Sequence, residues 1–271
     1  MKLSVLMSVY AKEKPEYLER ALDSILLNQS RKPDEVLLVC DGPLTPGLNN
    51  VVEKYANRYN TLRLLKLKDN MGLGKALQYG LQETKYDLVA RMDTDDVSLE
   101  DRFEKQLRFM AENPHVSVCG GHIVEFDSNI RDVVGRKMME TDPAALIEYA
   151  KKRNPINHVS AMFRKKHVLE VGGYKQLLYA EDYYLWVRLL VEGYTILNMD
   201  EILVYVQGGK DMYERRSHPE YSKSMAELYN YMYSNGFITF TRHLVQTLIM
   251  KVFINLPPTI KGMIYKKLLR S

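Results

Sequence analysis

The sequence lacks the features that would assign it to several large protein classes. It has two cysteines in 271 residues, Cys40 and Cys119. That is too few for a disulfide framework, it fits a reducing compartment, and no zinc-ligand spacing is present. Each cysteine ends an apolar run, LLVC and VSVC, so both are read as buried free thiols on strands. No segment has the roughly 18 to 20 uninterrupted apolar residues of a membrane-spanning helix. The formal charge of +4 is small for this length. Neither a strong basic excess nor an interleaved basic–aromatic stripe is present, so no nucleic-acid partner is expected. There is no internal repeat and no low-complexity tract. With 46% apolar and 27% charged residues, the composition is that of a folded protein. The N-terminal run MKLSVLMSVY has one lysine, is broken by Ser4 and Ser8, and precedes no small-residue cleavage site. It is read as a first strand, not a signal peptide.

What is there is a rhythm. Through residue 126, short apolar runs alternate with segments of helical periodicity. Strands are expected at Leu3 to Val9, Glu35 to Val39, Leu62 to Leu67, Tyr86 to Met92 and Val116 to Phe126. Helices are expected at Pro15 to Asn28, Gly47 to Tyr59, Asn70 to Thr84 and Leu99 to Glu112. This alternation predicts an α/β fold, a mostly parallel, Rossmann-like central sheet with helices on both faces. The second half is less regular. A strand pair or loop is expected at Ile130 to Met139, helices at Pro143 to Lys152, His167 to Val171 and Glu181 to Glu192, and strands at Val159 to Arg164 and Thr195 to Tyr205. From about Tyr213 the chain becomes helical and rich in Tyr and Met. The expected division is an α/β domain over 1–210 and a helical C-terminal region over 211–271.

Sheets of this kind bind ligands beyond the carboxyl ends of their strands. Three polar clusters fall there: Val9-Tyr10, Asp41 and Asp93-Thr94-Asp95-Asp96. Three carboxylates within four residues suit a hard divalent cation such as Mn²⁺ or Mg²⁺. They equally suit the N-terminus of a helix starting near Ser98, where acids favour the dipole. Asp41, before Gly-Pro, is a turn residue or an acceptor for a nucleobase or ribose. Asn70-Met71-Gly72-Leu73-Gly74-Lys75 puts glycines at a helix start, where free N–H groups can approach a ligand. It is neither a Walker loop nor a dinucleotide fingerprint. Glu181-Asp182 opens a helix and offers a general base or simply favours the dipole. Arg215, Arg216 and His218 would offset a diphosphate's charge or line a solvated loop.

Taken together, these pieces resemble a family 2 inverting glycosyltransferase with the GT-A fold, over residues 3 to about 205. The matching pieces, in order, are SVLMSVY from Ser4, EVLLVCDG from Glu35, NMGLGKAL from Asn70, ARMDTDD from Ala90, GGY from Gly172 and AEDYYLW from Ala180. Short bacterial enzymes that build capsular or exopolysaccharide repeat units look most similar. The resemblance implies that Val9 and Tyr10 line the uracil, that Asp41 holds the base and that Asn70, Gly72 and Lys75 line the nucleotide pocket. It implies Asp93 near ribose, Asp95 as ligand of Mn²⁺ or Mg²⁺, and Asp182 as catalytic base. Arg91 and Glu181, flanking these acids, go with the nucleotide-sugar site, and Arg215 or His218 with the diphosphate. The donor implied is a UDP-sugar, and the acceptor a saccharide or lipid-linked saccharide. The Gln-x-x-Arg-Trp motif and the spanning helices of processive synthases are absent, so a single addition is expected.

Two other readings bear weighing. A sugar nucleotidyltransferase would want a glycine-rich, basic loop after the first strand, and Tyr10-Ala11-Lys12-Glu13-Lys14-Pro15 has no glycine. A non-catalytic sugar-nucleotide binder or membrane scaffold would not need Asp41, Asp93, Asp95 and Asp182 all intact. Residues 242–271 contain Arg242, Lys251, Lys261, Lys266, Lys267 and Arg270 and no acid, with apolar residues between them. That pattern predicts either amphipathic helices on an anionic membrane surface, at the inner face of the cell membrane, or a first segment packed on the rest of the protein with only the last few residues solvated. The sugar, the linkage and the oligomeric state stay open at this stage.

Overall fold

The computed structural model describes residues 1–208 and 219–255. Its centre is one curled nine-stranded sheet, built from β1 (Leu3–Val9), β2 (Glu35–Cys40), β3 (Leu62–Lys66), β4 (Leu88–Arg91), β5 (Val97–Ser98), β6 (Val116–Phe126), β7 (Val133–Lys137), β8 (Met162–Arg164) and β9 (Thr195–Gln207). The order is β3-β2-β1-β4-β8-β6-β9-β5, with β7 paired to β6. The first four strands in this order are mutually parallel. From β8 onward the sheet is mixed: β8 runs antiparallel to both β4 and β6, whereas β6 and β9 are parallel.

Strand alternation explains why the sheet is covered on both faces. On β1, Leu3, Val5, Met7 and Val9 point one way and join Val36, Leu38 and Cys40 of β2. This face packs on α1 (Pro15–Leu26), α2 (Pro46–Arg58) and α4 (Arg102–Glu112). Leu6, Leu37 and Val39 point the other way, against α3 (Leu73–Glu83) and α7 (Glu181–Val191). Burying one such Leu or Val side chain is worth about 1.5–3 kcal/mol. Helix starts follow local chemistry. Thr45 caps α2 and Asp142 caps α5 (Pro143–Ala150), each with proline at the first helical position. Cys40 and Cys119 are free and buried, as expected. Burial pushes the Cys119 thiol up to about 12.

The second half departs from expectation in detail. The Val159 to Arg164 segment opens as a 3₁₀ turn at His158–Ser160 before β8, and α6 (Lys165–Glu170) follows at once. Residues 133–137 form a strand. The C-terminal helices are α8 (Pro219–Ser234) and α9 (Phe240–Asn255). Met225, Leu228, Tyr229 and Met232 of α8 bury against Tyr183 and Val187 of α7. The first of the C-terminal helices is therefore anchored on the helix that carries Glu181 and Asp182.

Candidate active site

The register of the parallel strands brings three chain segments to one edge. Val9 pairs with Cys40, and Leu6 with Arg91. The segments leaving β1, β2 and β4 therefore emerge side by side, at the edge where such sheets bind ligands. Val9, expected to line a base, is fully buried in β1. Its neighbour Tyr10 is exposed and begins the loop. That loop is tied to the acidic segment, because the Thr94 hydroxyl donates to Glu13 at 2.6 Å.

Asp41 is buried, and its carboxylate organises the glycine loop. One oxygen accepts from the Met71 N–H at 2.7 Å, and the other from the Gly72 N–H at 3.1 Å. Asn70 donates to the Asp41 carbonyl at 3.2 Å. Gly72 has φ +82° and ψ 157°, a region open to glycine alone, and it caps α3. Lys75 is exposed on the first turn of that helix.

The acidic segment does not open a helix. It runs into the short strand β5, and α4 begins only at Arg102. The helix-dipole reading of these acids therefore falls away. The three carboxylates also separate. Asp93 pairs with Arg91. Arg91 is wholly buried, where contact with a nucleotide sugar was expected. It lies beneath the edge, with its guanidinium turned to the Asp93 carboxylate. Asp96 is buried and accepts from the Gln207 N–H at 2.7 Å. Burial, and then the charges of Asp95 and Asp93, push its carboxyl well above the usual range. Asp95 stays partly exposed, and its carbonyl accepts from Arg20 at 2.7 Å. Arg20 also donates to the Gln207 side chain at 2.8 Å, which fastens β9 to this loop.

Asp182 reaches the same edge from the other side. Tyr179, with φ +67°, makes the backbone turn that leads into α7. Buried Glu181 packs so closely on Gly74 that a methyl group there would lie 2.9 Å from its Cγ. That contact sets the start of α7 against the start of α3. Asp182 is partly exposed and accepts from Asn154 at 2.6 Å. His158 and Tyr174 share a hydrogen bond of 2.8 Å, and both feel the charges of Asp93, Arg91 and Asp182. Burial holds the His158 imidazolium down at about 4, so the ring is neutral at neutral pH. One edge thus carries a glycine loop, two accessible carboxylates on the β4 side and a third on α7.

Residues 4–172 match the family described as "Glycosyl transferase family 2". The chain belongs to glycosyl transferase family 2. The family 2 chain is 38% identical over 264 residues to the amylovoran biosynthesis glycosyltransferase AmsE of Erwinia amylovora, covering 97% of this chain and 98% of that protein. It is 35% identical over 272 residues to an Escherichia coli protein, UDP-Gal:alpha-D-GlcNAc-diphosphoundecaprenol beta-1,3-galactosyltransferase, covering 99% and 97%. Among solved structures, it superposes on S. aureus TarS 1-349 in complex with UDP-GlcNAc, with TM-score 0.61, 21% identity and coverage of 99% of this chain and 85% of that one. The mannosyltransferase PcManGT from Pyrobaculum calidifontis, in complex with GDP-Man and Mn2+, gives TM-score 0.65 at 15% identity, covering 96% and 71%. These likenesses give the family 2 chain a GT-A fold.

The donor set of this glycosyltransferase suits a hard cation held mainly by its ligand. Among the described residues no group of three or more His, Cys, Asp or Glu side chains forms a cage. Mg²⁺-like ions are held by one or two carboxylates together with substrate phosphates, and Asp95 with Asp93 supplies that. Arg215 and His218 lie outside the described residues. Sequence reading missed Glu13, Arg20 and Gln207, which lock the acidic loop, and the pairing of Asn154 with Asp182. These contacts join residues 28 to 187 positions apart, and no local spacing signals them.

Proposed function

We propose that the protein is an inverting, single-addition glycosyltransferase moving a hexose from a UDP-sugar to a lipid-linked saccharide during surface polysaccharide synthesis. It would work in the cytoplasm at the inner face of the cell membrane. The observation that carries this reading is the meeting of Asp95, Asp93 and Asp182 at one sheet edge beside the Asp41-held glycine loop. Full-length similarity to the amylovoran enzyme and to the E. coli galactosyltransferase supports the pathway and the acceptor class.

In this reading Tyr10, Asp41, Asn70, Gly72 and Lys75 surround the nucleoside. Each Asp41 oxygen keeps a lone pair beyond its backbone bond, and an imide N–H of the base can take one up. Asp93 faces the ribose, oriented by Arg91. Asp95, with Asp93 beside it, would hold Mn²⁺ or Mg²⁺, which when bound offsets the charge developing on the diphosphate. Arg215 or His218 contributes to the same end. Asp182, aligned by Asn154, takes the proton of the acceptor hydroxyl. The acceptor oxygen bonds to the anomeric carbon as the bond from that carbon to the diphosphate oxygen breaks, and attack from the opposite face inverts the centre. Such a base contributes typically about 10² to 10⁴-fold.

The direct test is a thermal-shift screen of UDP-, GDP- and dTDP-sugars with and without Mn²⁺, starting with UDP-galactose. UDP-sugars should stabilise the protein in a Mn²⁺-dependent way, and Asp95→Ala should abolish the Mn²⁺ dependence. Equal response to all three nucleotides, or an Asp95→Ala variant that responds like the wild type, would overturn the donor assignment.

A further inference from the structure

α9 is mounted inside out. Phe240, Leu244, Val245, Leu248, Ile249 and Val252 are each between 49% and 60% exposed. With about 3.6 residues per turn these six fall on one half of the helix circumference. Apart from Thr241, every exposed described side chain of α9 is in that set. The opposite half faces the protein, and of its described side chains Arg242, His243, Gln246 and Thr247 are polar and Met250 is apolar. Arg242 pairs with Glu148 of α5 at 3.2 Å, and Gln246 donates to the Lys151 carbonyl at 2.5 Å. His243 stacks on Tyr233 of α8 at 5.1 Å. Three polar atoms on this side, His243 Nδ1, Gln246 Oε1 and Thr247 Oγ1, are buried without a hydrogen-bond partner. A helix at the surface of a water-soluble protein normally turns its apolar stripe inward and its polar side out. Here polar atoms are desolvated while an outward face that is apolar at every described position but Thr241 stays outside, which is the arrangement expected where that face has an apolar partner.

We infer that the outward face of α9 docks on an anionic lipid bilayer, lying in the headgroup–acyl boundary and presenting the site to a lipid-linked acceptor. This rests on the reading of the function above and names the surface that would serve it. Charge selects the occupant. Residues 242–271 carry six Arg or Lys and no acid, and exposed Lys152 stands at the end of α5 beside Gln246. A segment whose formal charges are all basic attracts anionic headgroups and disfavours pairing with a second copy of itself. No described helix is long and apolar enough to cross a membrane, so α9 would lie on the surface. The geometry also favours the acceptor side. Asn154, the partner of Asp182, comes three residues after Lys151, whose carbonyl holds α9.

The test is flotation of the full chain with phosphatidylcholine vesicles, with and without phosphatidylglycerol. Leu244→Glu/Leu248→Glu is compared with wild type and with Val133→Glu, an exposed apolar position on β7. Both leucines are exposed, so the double variant should keep its thermal stability and its response to UDP-sugar. The expected result is that wild type and Val133→Glu float with the phosphatidylglycerol vesicles, while the double variant loses about tenfold or more in partitioning. Wild type failing to bind those vesicles, or the double variant binding as wild type does, overturns the proposal. So does light scattering that shows a dimer split by the double variant without any vesicle binding. Flotation that depends on Leu244 and Leu248 in a protein unresponsive to every nucleotide sugar would uphold the docking face and overturn the donor reading instead.

Discussion

Gly72→Ala separates the local physics of the glycine loop from the family likeness. At φ +82° and ψ 157°, Gly72 occupies a region that costs other residues about 1–3 kcal/mol. A Cβ there would meet no atom within 4 Å, so the whole cost lies in the backbone. The loop can escape the strain only by rotating the peptides that donate to Asp41. A buried carboxylate would then lose hydrogen bonds of a charged type, worth about 1.5–3 kcal/mol. Either route lowers stability by about 1–3 kcal/mol, or about 2–12 °C in Tm for a chain of this size. If the loop rotates, affinity for UDP falls as well. Gly193, past the end of α7, has φ +81° and equally open surroundings. Gly193→Ala should lose about 1–2 kcal/mol yet bind UDP as the wild type does. Scanning fluorimetry and titration calorimetry with UDP read both quantities. Unchanged Tm and unchanged UDP affinity in Gly72→Ala would refute the argument.

Asn154→Ala removes the 2.6 Å hydrogen bond to Asp182 and should lower kcat about tenfold while leaving the KM for the donor unchanged. Steady-state kinetics at varied donor concentration would contradict this if KM rose and kcat did not change. His158 gives a pH dependence of stability. Its ordinary value of 6.5 falls to about 4 in the folded protein, so the unfolded chain binds the proton first as pH drops. Stability is therefore held above pH 6.5 and lost between 6.5 and 4, by up to about 3 kcal/mol. His158→Gln should flatten the Tm profile across that window, and a variant with the same acid slope as wild type would exclude His158 as its source.

The parallel half of the fold was legible because each strand there is a short apolar run and each helix has a clear period. β1 and β6 came out with the expected bounds. Val97–Ser98 was not legible, because two residues carry no period and their strand exists only by pairing with Tyr205 and Val204. That omission mattered, since it left the acidic cluster readable as a helix start. The candidate site was legible as strand-end chemistry, with Asp93, Asp95 and Asp182 each on an accessible part of the edge. The burial of the residues beneath it was not. Arg91 and Val9 look like surface residues of a motif, but their burial comes from β8 and from the helices packed over β1. Likewise α9 reads as amphipathic from sequence, but only its packing on α5 and α8 reveals which side faces out.

The central claim, that Asp182 deprotonates the acceptor, is tested most directly by measuring sugar transfer from the UDP-sugar identified in the screen in Asp182→Asn. Donor affinity is followed on the same samples. Transfer should fall by about 10² to 10⁴-fold with donor affinity unchanged. Transfer near the wild-type rate with donor bound would contradict the account.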